Sequence, residues 1–220
     1  MCSSDLDIHD GELMPTLENR RTITRKIREW QPDLVISHRP NDYHPDHRYT
    51  ATLVQDAAYL VTVPAVCPDV PHLPRDPVFA YLSDDFTRPV AFRPDVVVDV
   101  GAEADTVVRM LDCHVSQFYE WLPYNRGVLG QVPAGAEERR RWLAQVYAAL
   151  TRPLADRWRA QLVEVYGDEA GRRVTHVEAF EVSEYGTPLD EAARARLFPF
   201  LPPRHPDEAA AEWSDLSDDE

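Results

Sequence analysis

The stretch that most constrains this chain runs from Pro32 to Val61. Pro32-Asp33-Leu34-Val35-Ile36 is a short apolar run bounded by turn formers. Such a run, too short for a helix, predicts a buried strand of a parallel sheet. Ser37-His38-Arg39-Pro40-Asn41-Asp42-Tyr43-His44-Pro45-Asp46-His47-Arg48 follows at once, with three histidines and two aspartates between His38 and His47. Helical spacing then resumes through Ala51, Leu53, Val54, Ala57, Ala58 and Leu60, from a start at Asp46 or His47. A titratable loop between a parallel strand and a helix is where open α/β sheets keep their chemistry.

The rest of the chain agrees with that class. Thr16 opens a helix through Leu17, Ile23, Ile27 and Trp30, ended by Pro32. Arg20, Arg21, Arg25, Lys26 and Arg28 lie between its apolar positions and read as a solvated face, with an anion site as the sharper alternative. Residues 63–77 hold five prolines and read as an irregular loop, either a connector or a substrate lid. Val78–Leu82, Val96–Val100 and Val174–Val182 read as strands. Glu103–Phe118 reads as a helix, Tyr119–Asn125 as irregular, and Glu137–Tyr166 as one or two helices broken near Pro153. The alternation predicts an α/β fold with a largely parallel sheet flanked by helices, in a single domain over residues 1–200. The start of the chain, to Met14, is polar and predicted to fray. Residues 204–220 form an acidic tail that reads as disordered, with Trp213 and Leu216 as minor docking candidates.

Composition excludes some partners. A formal charge of −15 disfavours nucleic acid and anionic membranes. No apolar run is long enough to span a bilayer, and the first fifteen residues lack the apolar segment of a secretory signal. Cys2, Cys67 and Cys113 are scattered and odd in number, which predicts reduced thiols and a cytoplasmic protein.

Two readings are open for the central loop. In one, Asp46 caps a helix and the histidines are merely exposed. In the other, His44 and His47 leave the first helical turn together, one binding a metal and the other facing a substrate carbonyl. Asp46 would then fix a ring tautomer by hydrogen bonding. The density of His38, Asp42, His44, Asp46 and His47 at a strand exit favours the second.

The stretch from His38 to Arg48 resembles the second signature of the PIG-L/LmbE-like N-acetylglucosamine deacetylases. Asp10-Gly11-Glu12-Leu13, Ile27-Arg28, Pro32–Val35, His114-Val115-Ser116-Gln117-Phe118 and Glu178-Ala179-Phe180 are similar to further family stretches, in the same order. The resemblance implies a Rossmann-like fold and a zinc-dependent amidase that removes N-acetyl groups from an amino-sugar conjugate through an activated water. It implies His47 as zinc ligand, His44 as stabiliser of the oxyanion and Asp46 as its orienting carboxylate. Asn41 and Asp42 shape the loop or contact substrate. His38, His114, Ser116 and Gln117 are supporting or structural, and Glu178 is a structural or rim residue. Other divalent metals suit such ligands too.

One departure from the family pattern is large. The family draws a His and an Asp ligand, and its base, from a His-Pro-Asp-Asp motif after the first strand. No His-Pro-Asp-Asp occurs in this sequence, and Ile8-His9-Asp10-Gly11-Glu12 lacks its spacing and proline. The resemblance therefore implies an N-terminally incomplete member that lacks the first strand and helix and carries half a site. The alternatives are a non-catalytic remnant or sugar-binding module, and a metal phosphoesterase. Oligomerisation is left open.

Overall fold

The computed structural model describes residues 8–203. The fraying expected of residues 1–7, Cys2, and the acidic tail with Trp213 and Leu216 lie outside the described residues. The chain divides into two compact units, residues 8–96 with 179–203, and residues 97–178.

In the first unit, α1 (Leu17–Trp30) is capped by Thr16, whose hydroxyl accepts the Asn19 N–H at 3.2 Å. It ends on Gln31 in the left-handed conformation, just before Pro32. β1 (Leu34–Ser37) follows, then the histidine loop, α2 (Pro45–Leu60) and β2 (Val78–Leu82). Ile27 of α1 meets Val54, Ala57 and Ala58 of α2, with Val61, Leu73 and Phe79 completing the cluster. Each large apolar side chain so buried contributes about 1.5–3 kcal/mol.

Not all the basic residues of α1 form a solvated face. Arg20 pairs with Asp56 and Arg25 with Asp69 near the surface. Arg28 instead is 1% exposed. Its guanidinium donates to the carbonyls of Leu60, Val61, Val63, Val66, Cys67 and Val70. Four of these carbonyls, those of Leu60, Val61, Val63 and Cys67, also accept a backbone N–H from the segment, and the buried guanidinium adds a second donor to each and serves Val66 and Val70 as well.

The second unit contains most of β3 (Val96–Asp99), then α3 (Ala104–Asp112). Two departures from the sequence reading follow. The helix expected to reach Phe118 stops at Asp112. A π-helical turn, Ser116–Trp121, then runs into α4 (Leu122–Asn125), where an irregular segment was expected. The wider turn keeps Tyr119 inward with Val108, Leu143 and Tyr147. The Tyr119 hydroxyl donates to Asp112 at 2.7 Å, and burial with that carboxylate pushes its pKa up to about 12. α5 (Ala136–Arg157) continues past Pro153 and breaks at Trp158, before α6 (Arg159–Tyr166) and α7 (Asp168–Arg173).

β4 (Val177–Val182) returns to the sheet and α8 (Glu191–Leu197) follows it. The strand order is β1-β2-β4-β3. β1 and β2 are parallel, from Leu34 opposite Val78 to Ser37 opposite Tyr81. β4 runs antiparallel to β2, with Ala80 opposite Val182 and Leu82 opposite Phe180. The α/β class is as expected. The sheet is mixed, because β4 enters between β2 and β3 running against β2. β1 lies at the end of the strand order rather than inside the sheet, and this leaves Ile36 43% exposed where a buried strand was expected. No helix among the described residues is long and apolar enough to cross a membrane.

Candidate metal and deacetylase site

The loop from His38 to His47 leaves the C-terminal end of β1 and is shaped by Asp42. Its Oδ1 accepts the His44 N–H at 2.9 Å, an Asx turn. The same oxygen lies 3.0 Å from Nδ1 of His47. The Asp42 side chain is only 10% exposed. Arg48 closes the turn by donating to the carbonyls of Asp42 and Tyr43, each at 2.8 Å. Asp42 thus faces into the loop and shapes it. Asn41 donates to the Val90 carbonyl over 3.4 Å, a loop-shaping role.

His44 is the N-cap of α2, with Pro45 in the first helical position. The helix begins one residue earlier than the sequence suggests. His44 Nδ1 accepts the Asp46 N–H at 3.2 Å, where Ser, Thr, Asp or Asn usually serves. A histidine in place of a better cap is a local inconsistency of the kind that marks functional sites.

The carboxylate of Asp46 does not hydrogen-bond the His44 ring. It accepts the Gly11 N–H at 2.7 Å and the Leu13 N–H at 3.3 Å. The start of the described chain is so pinned beside the turn. Asp10 Oδ1 comes within 3.8 Å of His44 Nε2. The tautomer-fixing bond expected of Asp46 is replaced at His44 by the Asp46 backbone N–H, because the N-cap geometry aims that group at the ring.

His38 stacks on His47, ring centroids 4.1 Å apart and planes 6° from parallel. Burial, then the charge of His47, holds the His38 pKa below the ordinary histidine value, and Asp42 opposes this in part. His44 and His47 have centroids 4.9 Å apart. Tyr43 meets both rings edge-on and is 74% exposed. Two donor groups result, His38-Asp42-His47 and Asp10-His44-Asp46, each with ligand atoms within 4.8 Å of one another.

The sequence reading missed Arg39. It is 3% exposed and meets Asp84 at 3.1 Å, Glu181 at 3.2 Å and the Val90 carbonyl at 2.6 Å. Phe92 lies under its guanidinium. Arg39 ties the loop to β4 and to the segment before β3. Burial, more than any other influence, raises the Asp84 pKa. Asp10 lies in the stretch that lacks the family motif's spacing and proline, yet it comes beside His44.

His114, Ser116 and Gln117 lie in the second unit, at and beside the π-helical turn. All three are exposed.

Residues 2–58 match the family model for PIG-L, GlcNAc-PI de-N-acetylase. The diacetylchitobiose deacetylase of Thermococcus kodakarensis is 30% identical over 135 residues, covering 56% of this chain and 48% of that protein. The chain therefore spans about half the length of this curated relative. The crystal structure of N,N'-diacetylchitobiose deacetylase from Pyrococcus horikoshii with its inhibitor superposes with a TM-score of 0.53 at 19% identity. That match covers 80% of this chain and 55% of the other, and shows a shared fold. The family-model match includes the whole turn from His38 to His47, the fold likeness extends well beyond it, and over these residues the chain is similar to the PIG-L/LmbE-like deacetylases.

Proposed function

We propose that this chain supplies the His-Pro-Asp-His part of a metal-dependent centre that removes the N-acetyl group of an N-acetylglucosamine-type amino sugar. One observation carries the reading: His38, Asp42 and His47 converge within 4.8 Å at the end of a parallel strand, in a chain related to a diacetylchitobiose deacetylase. Imidazole nitrogen with carboxylate oxygen is a donor set that suits Zn2+ and other divalent cations. His47 is the proposed ligand. When bound, the cation supplies acidification of a water and polarisation of the acetamide carbonyl.

The chain's own residues do the rest of the work assigned to it. His44 presents Nε2 to the carbonyl oxygen as charge develops there. Asp46 holds the Gly11 turn, and with it Asp10, beside His44. Addition of water and cleavage of the C–N bond release acetate and the free amine. With no His-Pro-Asp-Asp in the sequence, these residues form one part of the centre, and further ligands and the base complete it. The free thiols of Cys67 and Cys113 support a reducing, cytoplasmic setting.

A second reading, sugar binding without turnover, is favoured by Asp46, whose carboxylate is occupied by two backbone N–H groups. Incubation with N,N'-diacetylchitobiose and Zn2+ separates the two. Acetate release that a chelator and His44→Ala abolish supports the deacetylase. Chelator-insensitive binding without acetate supports the binding module. Neither binding nor release contradicts both.

A further inference from the structure

The two imidazoles of the His-Pro-Asp-His turn meet partners of opposite kind. At His44, Nδ1 accepts a backbone N–H. A nitrogen that accepts holds the lone pair, so the ring proton of neutral His44 sits on Nε2. At His47, Nδ1 is shielded from solvent and Asp42 Oδ1 lies 3.0 Å away. An ionised carboxylate only accepts, so the ring proton of neutral His47 sits on Nδ1 and the lone pair on Nε2.

The His47 contact lies outside good hydrogen-bond alignment, and Nδ1 has no other partner. A shielded N–H left unpaired is costly, which favours the neighbouring carboxylate as its partner. Such bonds are often poorly aligned before a site is loaded. The carboxylate is not free to turn away, because the same oxygen accepts the His44 N–H. Nor does the ring turn over freely, since His38 lies flat against it.

We infer that the loop holds its two histidines in opposite tautomers, His44 as an Nε2–H donor and His47 as an Nε2 lone-pair ligand, with Asp42 as the positioning residue for His47. The roles given to the two Nε2 atoms rest on the proposed function; the tautomers themselves rest on geometry alone. One short turn then provides a hydrogen-bond donor and a metal ligand from the same residue type. The difference comes from a helix N-cap at one ring and a buried carboxylate at the other.

Long-range 1H–15N NMR of the full chain, labelled on histidine and free of metal at about pH 8, where free histidine is neutral, reads both rings directly. His44 is expected with its proton on Nε2 and His47 with its proton on Nδ1. Asp42→Ala should leave His47 as a tautomer mixture and weaken Zn2+ binding about 10–100-fold. Asp42→Asn, which keeps an acceptor oxygen, should restore most of both. A wild-type His47 protonated on Nε2, or a His47 pattern unchanged in Asp42→Ala, overturns the inference. If Asp42→Ala does not fold, the wild-type spectrum decides alone. If the tautomers are as inferred but Zn2+ shifts neither ring, the inference stands and the metal assignment in the proposed function fails.

Discussion

The carboxylate of Asp46 and the backbone N–H of Gly11 are joined at 2.7 Å across thirty-five residues of sequence. This bond, with the longer one to Leu13, makes the aspartate of the His-Pro-Asp-His turn a clamp on the segment that carries Asp10. Asp46→Ala removes the acceptor without touching the N-cap, which uses the backbone. We expect faster hydrogen exchange at the Gly11 and Leu13 amides, by about fivefold for a bond worth about 1 kcal/mol. Asp46→Asn keeps one acceptor oxygen and should lose less. Unchanged exchange in Asp46→Ala would contradict the clamp.

Arg28 anchors six carbonyls over Leu60–Val70 from a fully buried position. Arg28→Ala strands the Val66 and Val70 carbonyls at about 1–3 kcal/mol each, while the other four keep a backbone N–H, so a loss of about 2 kcal/mol or more in denaturant unfolding is expected. Arg28→Lys keeps the charge but not the fork of donors, and should fall between. A change under 1 kcal/mol in Arg28→Ala would show that the loop does not depend on it.

Glu178 titrates against burial. Loss of hydration alone raises its pKa above the ordinary 4.5. A carboxyl with a raised folded-state pKa contributes stability below its ordinary value and loses it as pH rises through the folded value. Glu178→Gln cannot ionise. Its thermal midpoint should exceed that of the wild type at pH 7 and converge with it near pH 4. A variant less stable at pH 7 would mean the ionised carboxylate has a stabilising partner.

Much of the site was legible because it is local. The apolar run at Leu34–Ile36, the cluster of imidazoles and the helical spacing after Tyr49 are neighbours in sequence, and they fold as neighbours. What was not legible depends on distant pairing. Ile36 reads as buried from its composition, but its exposure is decided by the place of β1 in the strand order. Arg28 and Arg39 look like surface cations, and only the carbonyls and carboxylates brought to them by other segments make them internal. That Asp42 meets the His47 ring while Asp46 accepts the Gly11 and Leu13 amides is decided by which atom points where in one turn, which residue order does not encode. The π-helical turn at Ser116–Trp121 is a departure from the regular period that residue spacing does not encode.

Titration of the full chain with Zn2+, wild type beside His47→Ala, tests the central claim most directly. One saturable ion per chain is expected, held more weakly than in a complete centre and lost in His47→Ala. Equal binding in both proteins, or none in either, would contradict the assignment of His47 as a metal ligand. Tight stoichiometric binding that needs His47 would contradict the view that these residues form only part of the centre.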